Sequence, residues 1–538
     1  MTLDTFFEKF DLFADAPNAV AKMRELVLEL AVQGKLVEPP SKPETDKTWL
    51  TFRKETGECI DPSATPLFDI PKHWQWCVLA EVADCRASAK VPPSSINDRD
   101  WVLDLEDIDG TTGQFIQFAT FAERRSLSTK AAFEPGDVLY SKLRPYLNKV
   151  VVAEKKGFCT TEIIPLRPAT FHEPGFLRIY LRSLTFLNYA AQKNYGMKMP
   201  RLGTKDLESA QIPLPPPSEQ KRIVAKVDEL MALCDRLEAQ QLQREEQASA
   251  LARASLARFA EAPTPPNLNL LFHHSYPIPP ADLRKAILTL AVQGKLMPQD
   301  HKDEPAEKLF ARIHTNKENL IKDRVIKRAS VESNPSEDTC GSLPSGWIWT
   351  RLGNTFDVRD GTHDTPKYTK EGYPLITSKN IYSGSLLFDG ANLISEKDHH
   401  QICERSKVDR NDILFAMIGS IGNPVIVDTD REFSIKNVAL FKYYTAADSE
   451  PRFLLLYLKL VAEEMRAKAA GGVQAFVSLG FLRNYFFPLP PLAEQRRIVA
   501  KVDQLMALVD ELETQLAASR ATAKNLLEAL VAELTAGH

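Results

Sequence analysis

The 538-residue chain lacks the features of a membrane, secreted or thiolate-metal protein. It has no run of about 18 uncharged apolar residues, so we expect no membrane-spanning segment. Its first residues carry acids among aromatics, without the basic and apolar regions of a signal peptide. Its seven cysteines are widely spaced and include no C-x-x-C pair, which is typical of reduced thiols. The expected location is therefore the cytoplasm.

The motifs of several enzyme classes are also missing. There is no G-x-x-x-x-G-K-[ST] sequence for ATP hydrolysis, and no glycine-rich turn after a strand for a nucleotide. There is no Asn-Pro-Pro-aromatic or Asp-Pro-Pro-aromatic tetrapeptide, which amino-methyltransferases use, and no acidic cluster for a nuclease metal. These absences favour a binding protein with no catalytic residue, metal or cofactor of its own. A self-contained methyltransferase or nuclease is the enzymatic alternative.

A long internal repeat dominates what the sequence does contain. Residues 213–240 and 488–515, at an offset of 275, are identical at 21 of 28 positions. The segment LAVQGKL occurs at 30–36 and again at 290–296. The regions between these repeats have diverged. A duplicated helical frame with two different heads implies pseudo-two-fold symmetry and two different ligand surfaces.

Short helices are predicted around both LAVQGKL segments, from about residue 18 to 33 and from 282 to 293. Asn18 and Asp282 are the predicted N-caps, because their side chains can accept backbone hydrogen bonds. Gly34 and Gly294 are predicted to follow the last turns, where the backbone adopts a left-handed conformation.

Two long helices are predicted to begin after the PLPP sequences, because proline stops a preceding strand and tolerates a helix start. Glu219 and Glu494 then lie in the first turns, where the helix dipole favours acids. Apolar residues follow at 4,3 spacing, which predicts coiled-coil seams. The seams are Ile223, Val227, Leu230, Cys234, Leu237, Gln241, Arg244, Ala248 and Leu251, and Ile498, Val502, Leu505, Val509, Leu512, Leu516, Ser519, Ala523, Leu526 and Leu530. A single such stripe more often reflects core packing or homodimerisation, but two near-identical stripes can pair with each other.

Both heads show strand-like alternation and helix-like periodicity, so the predicted fold class is α+β with two mixed α/β domains. The strand patterns cover 136–152 and 411–427, and the helix patterns cover 176–192 and 451–468. A proline-rich linker is predicted at 261–280. A charged helical insertion at 301–328 explains why the repeat offset grows from 260 to 275.

The first head has a segregated positive charge. From Arg124 to Lys205 there are 15 Lys and Arg against 5 Asp and Glu, with Tyr140, Tyr146 and Tyr195 interleaved. This pattern favours contact with a phosphate backbone, with an ordinary solvated surface as the alternative. The second head balances at 17 against 17, so charge gives no such indication there.

Side chains that offer paired donors and acceptors to DNA bases are concentrated in a few polar loops of both heads. The candidates in the first head are Lys142, Arg144, Tyr146, Asn148, Lys149, Lys198 and Arg201. The candidates in the second head are Thr362, His363, Lys367, Tyr368, Lys379, Asn380, Asn423 and Gln474.

The motif PLPP-x-x-EQ-[KR]-RIV, at 213–224 and 488–499, resembles the specificity subunits of Type I restriction-modification systems. Together with the duplication, the resemblance covers nearly the whole chain, and the LAVQGKL repeats resemble an N-terminally extended subgroup. It implies that each head is a target recognition domain that reads one half of a split, asymmetric sequence in double-stranded DNA. It also implies that the long helices pack antiparallel and set the unread spacer.

The resemblance further implies partner subunits. The helical frame would dock two methyltransferase subunits, which bind S-adenosylmethionine and methylate adenine at N6. Two motor-nuclease subunits, which use ATP and Mg²⁺, would join them to form the restriction complex. The family's basic loop maps onto Lys142, Arg144, Tyr146 and Lys149. The matching loop of the second head, 417–423, has no basic residue, so contacts there are expected from the other candidates.

The predicted boundaries follow from the repeat. They are 1–65 for an N-terminal helical segment, 66–211 for target recognition domain 1, 212–260 for the central long helix, 261–342 for the linker, second short helix and charged insertion, 343–486 for target recognition domain 2, and 487–538 for the C-terminal long helix. A coiled-coil scaffold with protein-binding heads is the alternative function.

Overall fold

A computed structural model describes most of the chain as two compact units. The described residues are 8–14, 16–39, 47–56, 67–196, 198–262, 264–271, 278–335, 341–382, 384–469 and 476–535. Unit 1 comprises Met1–Arg244 and Ala517–His538, and unit 2 comprises Glu245–Leu516. Both units contain sheets and helices, so the fold is mixed α and β, as predicted. None of the helices in these ranges has the length and apolarity of a membrane span.

Unit 1 contains one head built on two four-stranded sheets. Its strands are β1 (Gln75–Val78), β2 (Ala83–Asp84), β3 (Lys90–Val91), β4 (Val102–Leu103), β5 (Lys130–Phe133), β6 (Val138–Ser141), β7 (Val150–Val152), β8 (Gly157–Thr160), β9 (Ile163–Pro168) and β10 (Gln211–Leu214). Its helices are Phe10–Phe13, Ala19–Val32, Lys47–Thr56, Leu79–Val82, Phe121–Arg124, Pro174–Arg182, Leu184–Lys193 and Thr204–Glu208. The sheet orders are β2-β9-β6-β7 and β3-β5-β8-β4, and β1 pairs separately with β10.

Unit 2 contains the other head, with sheets of the same size. Its strands are β11 (Ile348–Arg351), β12 (Asp357–Asp360), β13 (Tyr368–Thr369), β14 (Tyr373–Ile376), β15 (Asn392–Ile394), β16 (Ile413–Ala416), β17 (Gly422–Ile426), β18 (Ser434–Ile435), β19 (Val438–Lys442) and β20 (Phe486–Leu489). Its helices are Pro265–Leu271, Pro280–Val292, Ala306–Lys322, Leu352–Thr355, Glu396–Ser406, Pro451–Ala469 and Leu479–Asn484. The sheet orders are β12-β19-β16-β17 and β13-β15-β14-β18, and β11 pairs with β20.

The short helices end as predicted but begin differently. Gly34 and Gly294 follow the last turns with φ angles of 71° and 64°. Asn18 precedes the first helix, but its side chain makes no capping bond. The prediction of Asp282 as an N-cap is wrong, because the second helix begins at Pro280, whose fixed φ already suits the first turn.

Both glycines are also required by close packing. A Cβ atom on Gly34 would lie 2.5 Å from Cγ of Pro71, and one on Gly294 would lie 2.5 Å from Cγ of Pro344. The end of each short helix therefore rests directly on the residues that lead into a head. This contact explains why glycine occurs in both LAVQGKL segments.

An ion-pair clamp joins each short helix to a long helix. The pairs are Arg24 with Asp235 and Glu238 in unit 1, and Arg284 with Asp510 and Glu513 in unit 2, all at 2.6–2.7 Å. The Arg24 side chain is 7% exposed and the Arg284 side chain is 33% exposed, so the first clamp is less screened by solvent.

The long helices span Pro217–Glu261 and Leu492–Thr535. The first begins in unit 1 and ends in unit 2, and the second does the reverse. Contrary to the prediction, the strands before them run through Pro213 and Pro488. Each of these two strands pairs with only one other strand. A proline, which has no N–H group, therefore costs no hydrogen bond to a second neighbouring strand.

The EQ pair of the repeated motif fastens each helix start to its head. Glu219 is 1% exposed and lies 2.7 Å from Nε2 of His73, while Glu494 accepts a hydrogen bond from Nε1 of Trp347 at 2.9 Å. The amide of Gln220 accepts from the backbone N–H of Glu173 at 2.7 Å. The motif therefore has a structural role at the base of each head.

The predicted seams hold in part. Ile223, Val227, Leu230 and Cys234 are buried, but Leu251 is 51% exposed, and the buried positions become Ala252, Ser255 and Phe259. In the second helix Leu527 is buried in place of Leu526. An α-helix drifts about 20° per heptad against a 3.5-residue repeat, so over four heptads the buried face moves by nearly one residue.

The remaining predictions about the secondary structure need two corrections. The helix predicted at 176–192 is two helices, because Ser183 leaves the helical conformation and its hydroxyl accepts from the N–H of Phe186 at 3.2 Å. The linker contains the helix Pro265–Leu271. The strand patterns are confirmed, and the predicted charged segment forms the helix Ala306–Lys322, although unit 1 also has a helix, Lys47–Thr56, about 260 residues earlier.

The main core of unit 1 contains an uncharged histidine whose titration should be visible. His172 is 3% exposed and its Nδ1 lies 3.2 Å from the Val82 carbonyl oxygen. Burial lowers the pKa of this imidazole from 6.5 to about 4. Between these values the unfolded chain binds a proton that the folded chain does not, so stability is lost as the pH falls from 6.5 toward 4.

We expect His172 to lower the unfolding free energy of unit 1 by about 1.5 kcal/mol between pH 6.5 and pH 5, because the slope reaches about 1.36 kcal/mol per pH unit only once the unfolded imidazole is fully protonated. Urea unfolding of the parent chain and of His172→Gln at both pH values measures this effect. The variant should lose less stability than the parent over the same interval. An equal loss in both proteins would contradict the assignment.

Candidate nucleic-acid interface

The basic loop of unit 1 connects β6 to β7 through an unusual backbone. Arg144 and Asn148 have left-handed φ angles of 50° and 53°, and the 3-10 turn Pro145–Leu147 lies between them. This conformation costs a non-glycine residue such as arginine about 1–2 kcal/mol. The surrounding contacts must therefore hold the loop in place.

The second predicted loop of unit 1 lies against the first. The backbone N–H of Arg144 donates to the carbonyl oxygen of Pro200 at 2.7 Å. The N–H of Leu202 donates to the carbonyl oxygen of Lys142 at 3.0 Å. The structure therefore brings the loops 141–149 and 194–201 together into one surface.

A cleft of about 510 Å³ opens at this surface. It is lined by Asp104, Leu105, Glu106, Ser141, Leu143, Arg144, Leu147, Lys149, Thr160 and Met199. Its two acids both pair with Arg124, whose guanidinium lies 2.8 Å from Glu106 and 3.7 Å from Asp104. Arg124 also bonds the buried Asp107. Nζ of Lys130 lies 3.9 Å from Asp104, so two cations offset the charge of two of these three carboxylates beside the basic loop.

Four of the candidates in unit 1 have side chains that a ligand could reach. Arg144 and Lys198 are exposed, Tyr146 is 63% exposed, and Lys142 is half-buried. Within the described ranges, none of these three cations has an ion pair with an acidic group. They are the positive charges of this surface that are free to meet phosphates or base edges.

The other three candidates in unit 1 are engaged within the protein. Nδ2 of Asn148 donates to the carbonyl oxygen of Arg182 at 3.1 Å, and Nζ of Lys149 donates to that of Leu105 at 2.6 Å. Arg201 bonds both carboxylate oxygens of Glu162 at 3.1 and 3.2 Å, and this bonding raises its pKa. These side chains hold the loops in position.

The first loop of unit 2 is organised around His363. Its Nε2 lies 3.0 Å from a carboxylate oxygen of Asp360, and its Nδ1 lies 3.0 Å from the amide oxygen of Asn437. Arg405 also bonds Asp360. The backbone N–H of Thr362 donates to the carbonyl oxygen of Ile435 at 3.0 Å. The His363 ring is therefore fixed in orientation, although 54% of its side chain is exposed.

Besides His363, the exposed candidates in unit 2 are Lys367, Lys379 and Tyr368, and Tyr368 is 54% exposed on β13. Asn423 is half-buried with a φ angle of 47°, which matches Asn148 of unit 1. Gln474 lies outside the described residues. The second head thus also presents cations, but from different loops.

Asn380, another candidate in unit 2, is engaged within the protein. It is 7% exposed, and its Oδ1 accepts from the N–H and the hydroxyl of Thr377, both at 3.0 Å. Its Nδ2 donates to the carbonyl oxygen of Leu387 at 3.2 Å. Both ends of this amide stabilise the turn that carries Lys379, so it has no free edge for a base.

Three cations near these loops were not predicted from the sequence: Arg182, Arg466 and Lys436. Lys436 bonds the hydroxyl of Thr365, and the two arginines bond backbone carbonyl oxygens. The sequence offered one signal that Arg182 is buried. It follows the buried Ile179 by three residues, so both side chains lie on the apolar face of the same helix. A cation on such a face indicates a buried polar partner, but the partner itself lies elsewhere in the sequence.

Comparisons with known proteins agree on one family. The family model of the Type I restriction modification DNA specificity domain matches residues 125–247 and 344–519. The chain is 27% identical to the Type I restriction enzyme EcoAI specificity subunit of Escherichia coli, over 97% of this chain and 94% of that protein. It is 26% identical to the EcoEI specificity subunit of the same species, with the same coverage.

A solved structure shares the fold. It is described as "Structural basis underlying complex assembly and conformational transition of the type I R-M system". Its matching chain has a TM-score of 0.50 and 22% identity, covering 87% of this chain and 99% of that chain.

The three free cations of unit 1 should dominate non-specific DNA binding by that head. We expect replacement of Lys142, Arg144 and Lys198 by alanine to lower the salt dependence of binding to a random-sequence duplex. Each lost phosphate contact should reduce the slope of log K against log salt by about 0.9. Fluorescence anisotropy titrations between 50 and 200 mM salt measure the slope.

The matched control removes three exposed cations from the first long helix: Lys221, Arg236 and Arg244. This variant has the same net charge, so a general electrostatic effect would change both proteins equally. Equal slopes for the two triple variants would show that these loop cations do not contact DNA.

Proposed function

The chain belongs to the family of Type I restriction modification DNA specificity domains, and we propose that it directs such a complex to a split, asymmetric target in double-stranded DNA. Each head reads one half of the target. The observation that carries this proposal is that two frames of matching geometry present different loops. The recognition domains are proposed at 66–211 and 343–486, as predicted from the sequence.

Matching contacts support equivalent frames in the two heads. Asp137 pairs with Arg167 at 2.9 Å in unit 1, and Asp412 pairs with Lys442 in unit 2, at positions 275 residues later. The four-stranded sheets that contain these pairs have the same order, β2-β9-β6-β7 and β12-β19-β16-β17. An internal pseudo-two-fold duplication accounts for these correspondences.

The loops on these frames differ in chemistry. The loop after β6 carries Lys142 and Arg144, whereas the loop after β16 contains no basic residue up to Asn423. Unit 2 instead exposes Lys367 and Lys379 from other loops. Different donors and acceptors at the same edge of equivalent sheets would read different base pairs.

We propose that the two long helices run antiparallel and set the unread spacer. In unit 1 Cys234 shares a core with Ala523 and Leu527, and in unit 2 Ala252 shares a core with Leu505 and Val509. As residue numbers rise along the first helix, they fall along the second. The first helix has 45 residues, which corresponds to a length of about 68 Å at 1.5 Å per residue.

The repeated clamps support two equivalent docking surfaces for partners. The proposed partners are two methyltransferase subunits and two motor-nuclease subunits. S-adenosylmethionine, ATP and Mg²⁺ would bind to those subunits, and this chain would contribute recognition without catalysis. Two docking surfaces on one asymmetric chain would explain how both halves of a target become methylated.

The proposal predicts a defined methylation pattern. We expect co-expression of this chain with its methyltransferase subunit to place N6-methyladenine in both halves of a single split motif with a fixed gap. Single-molecule sequencing of the host genome measures it. No new methylation from an assembled, cofactor-loaded complex would favour the scaffold alternative instead. Methylation or cleavage by the purified chain alone would overturn the non-catalytic role.

The spacer proposal can be tested by shortening both helices together. Removing residues 241–247 and 514–520 takes one heptad from each partner, or about 10 Å of helix. We expect the unread gap to shorten by about three base pairs, at about 3.4 Å each. The control inserts seven residues after Lys327, outside the helices, and should leave the gap unchanged. An unchanged gap in the shortened variant would contradict the spacer role.

A further inference from the structure

Arg182 is a buried cation with an unusual set of partners. It ends the helix Pro174–Arg182 and is 8% exposed. Its guanidinium donates to three consecutive carbonyl oxygens, those of Gly110 at 3.1 Å, Thr111 at 2.7 Å and Thr112 at 2.5 Å. No carboxylate within the described ranges forms an ion pair with it. Burial lowers its pKa to about 10, so it remains charged at neutral pH.

The three carbonyls belong to a tight turn that fits around the guanidinium. The carboxylate of Asp109 accepts from the N–H of Thr111 and the hydroxyl of Thr112, both at 2.8 Å. Gly113 has a φ angle of 69°, and a Cβ atom there would lie 1.5 Å from Nη1 of Arg182. Any side chain at position 113 would therefore collide with this guanidinium.

The turn lies directly against the basic loop. A Cβ atom on Gly110 would lie 1.9 Å from the carbonyl oxygen of Leu147, so the two backbones touch. The carbonyl oxygen of Arg182 itself accepts from Nδ2 of Asn148 at 3.1 Å. Arg182 is therefore connected to the basic loop twice, through the turn that it holds and through its own backbone.

These contacts meet where the loop needs support. Arg144 and Asn148 both have positive φ angles, a conformation that persists only when the surroundings impose it. Without Arg182, the turn 109–113 would lose its central donor, and the loop would lose the surface on which Leu147 rests. The exposed side chains of Arg144 and Tyr146 would then sample several positions.

We propose that Arg182 is the positioning residue of the first head, which fixes the basic loop 144–148 before DNA binds. This inference rests on the proposed function of the head. Arg182 does not touch DNA in this role. It acts through Asn148 and the turn 109–113. By keeping the loop in one conformation, it increases the ability of the first head to discriminate between base pairs. Attraction to phosphates depends on the exposed cations and is independent of loop order.

The second head supports the corresponding loop with a different arginine. Nε and Nη2 of Arg466 donate to the carbonyl oxygen of Ile421 at 3.2 and 2.7 Å. Arg466 is the sixteenth residue of the helix Pro451–Ala469, whereas Arg182 is the ninth residue of Pro174–Arg182. In each head an arginine side chain supports the loop. The two arginines occupy different positions in their helices, so they are not part of the repeated frame.

The test uses the complex with the methyltransferase subunit and the target motif found by methylation mapping. Binding is measured to the target and to duplexes with single base substitutions in either half. We expect Arg182→Met to lower the discrimination ratio about tenfold in the half read by the first head, and to leave the other half unchanged. Affinity for a random duplex and its salt dependence should also stay unchanged.

The matched control is Arg178→Met on the same helix, where the side chain pairs with Asp228 at 3.0 Å and, in the described part of the chain, makes no hydrogen bond to the basic loop or to the turn 109–113. It should keep full discrimination in both halves. Equal ratios for Arg182→Met and the parent, or an equal loss in both halves, would overturn the inference. A parent complex without any sequence preference would instead overturn the proposed function itself.

A milder variant covers the case in which Arg182→Met does not fold. Asn148→Gly removes the amide bond to the Arg182 carbonyl and also frees the loop backbone, while glycine tolerates the φ angle of 53°. We expect it to lower discrimination in the same half by a smaller factor, with random-duplex affinity unchanged. Full discrimination by this variant would also count against the positioning role.

Discussion

Main-chain pairing at the base of each head is the constraint on which the rest of each unit depends. β1 pairs antiparallel with β10, and β11 pairs with β20, so each head begins and ends at one place. Backbone hydrogen bonds form regardless of the side chains beyond them. A head can therefore change its sequence freely while its two ends stay joined to the same short and long helices. This explains how a nearly identical frame carries two diverged heads.

Side chains around this base make the junction specific. Gly34 and Gly294 touch Pro71 and Pro344, where no larger residue fits. The buried Glu219 contacts the first residues of its head through His73. Such contacts join elements that lie far apart in sequence, and they recur in both units. The motif is thus repeated in the two halves of the chain because it packs against the base of each head. Its repetition alone is no evidence for contact with DNA.

The two heads reach ordered loops by different means. In unit 1 the left-handed residues Arg144 and Asn148 are held by a buried arginine and by a neighbouring turn. In unit 2 a ring of polar contacts around His363 and a buried amide at Asn380 serve the same purpose. In both heads several polar side chains of the loops are used inside the protein. Fewer side chains are left for a ligand than loop composition suggests.

The sequence by itself determined the repeat, the helical frame, the glycines after the short helices and the loops that carry the polar residues. These features are local or periodic, so they can be predicted without knowledge of the fold. Only the tertiary structure decided which loop side chains are free, since Asn148, Lys149 and Arg201 find partners far away in sequence. It also decided the drift of the seam from Leu251 to Ala252. Pairing between distant residues depends on how the chain packs, and no local pattern encodes it.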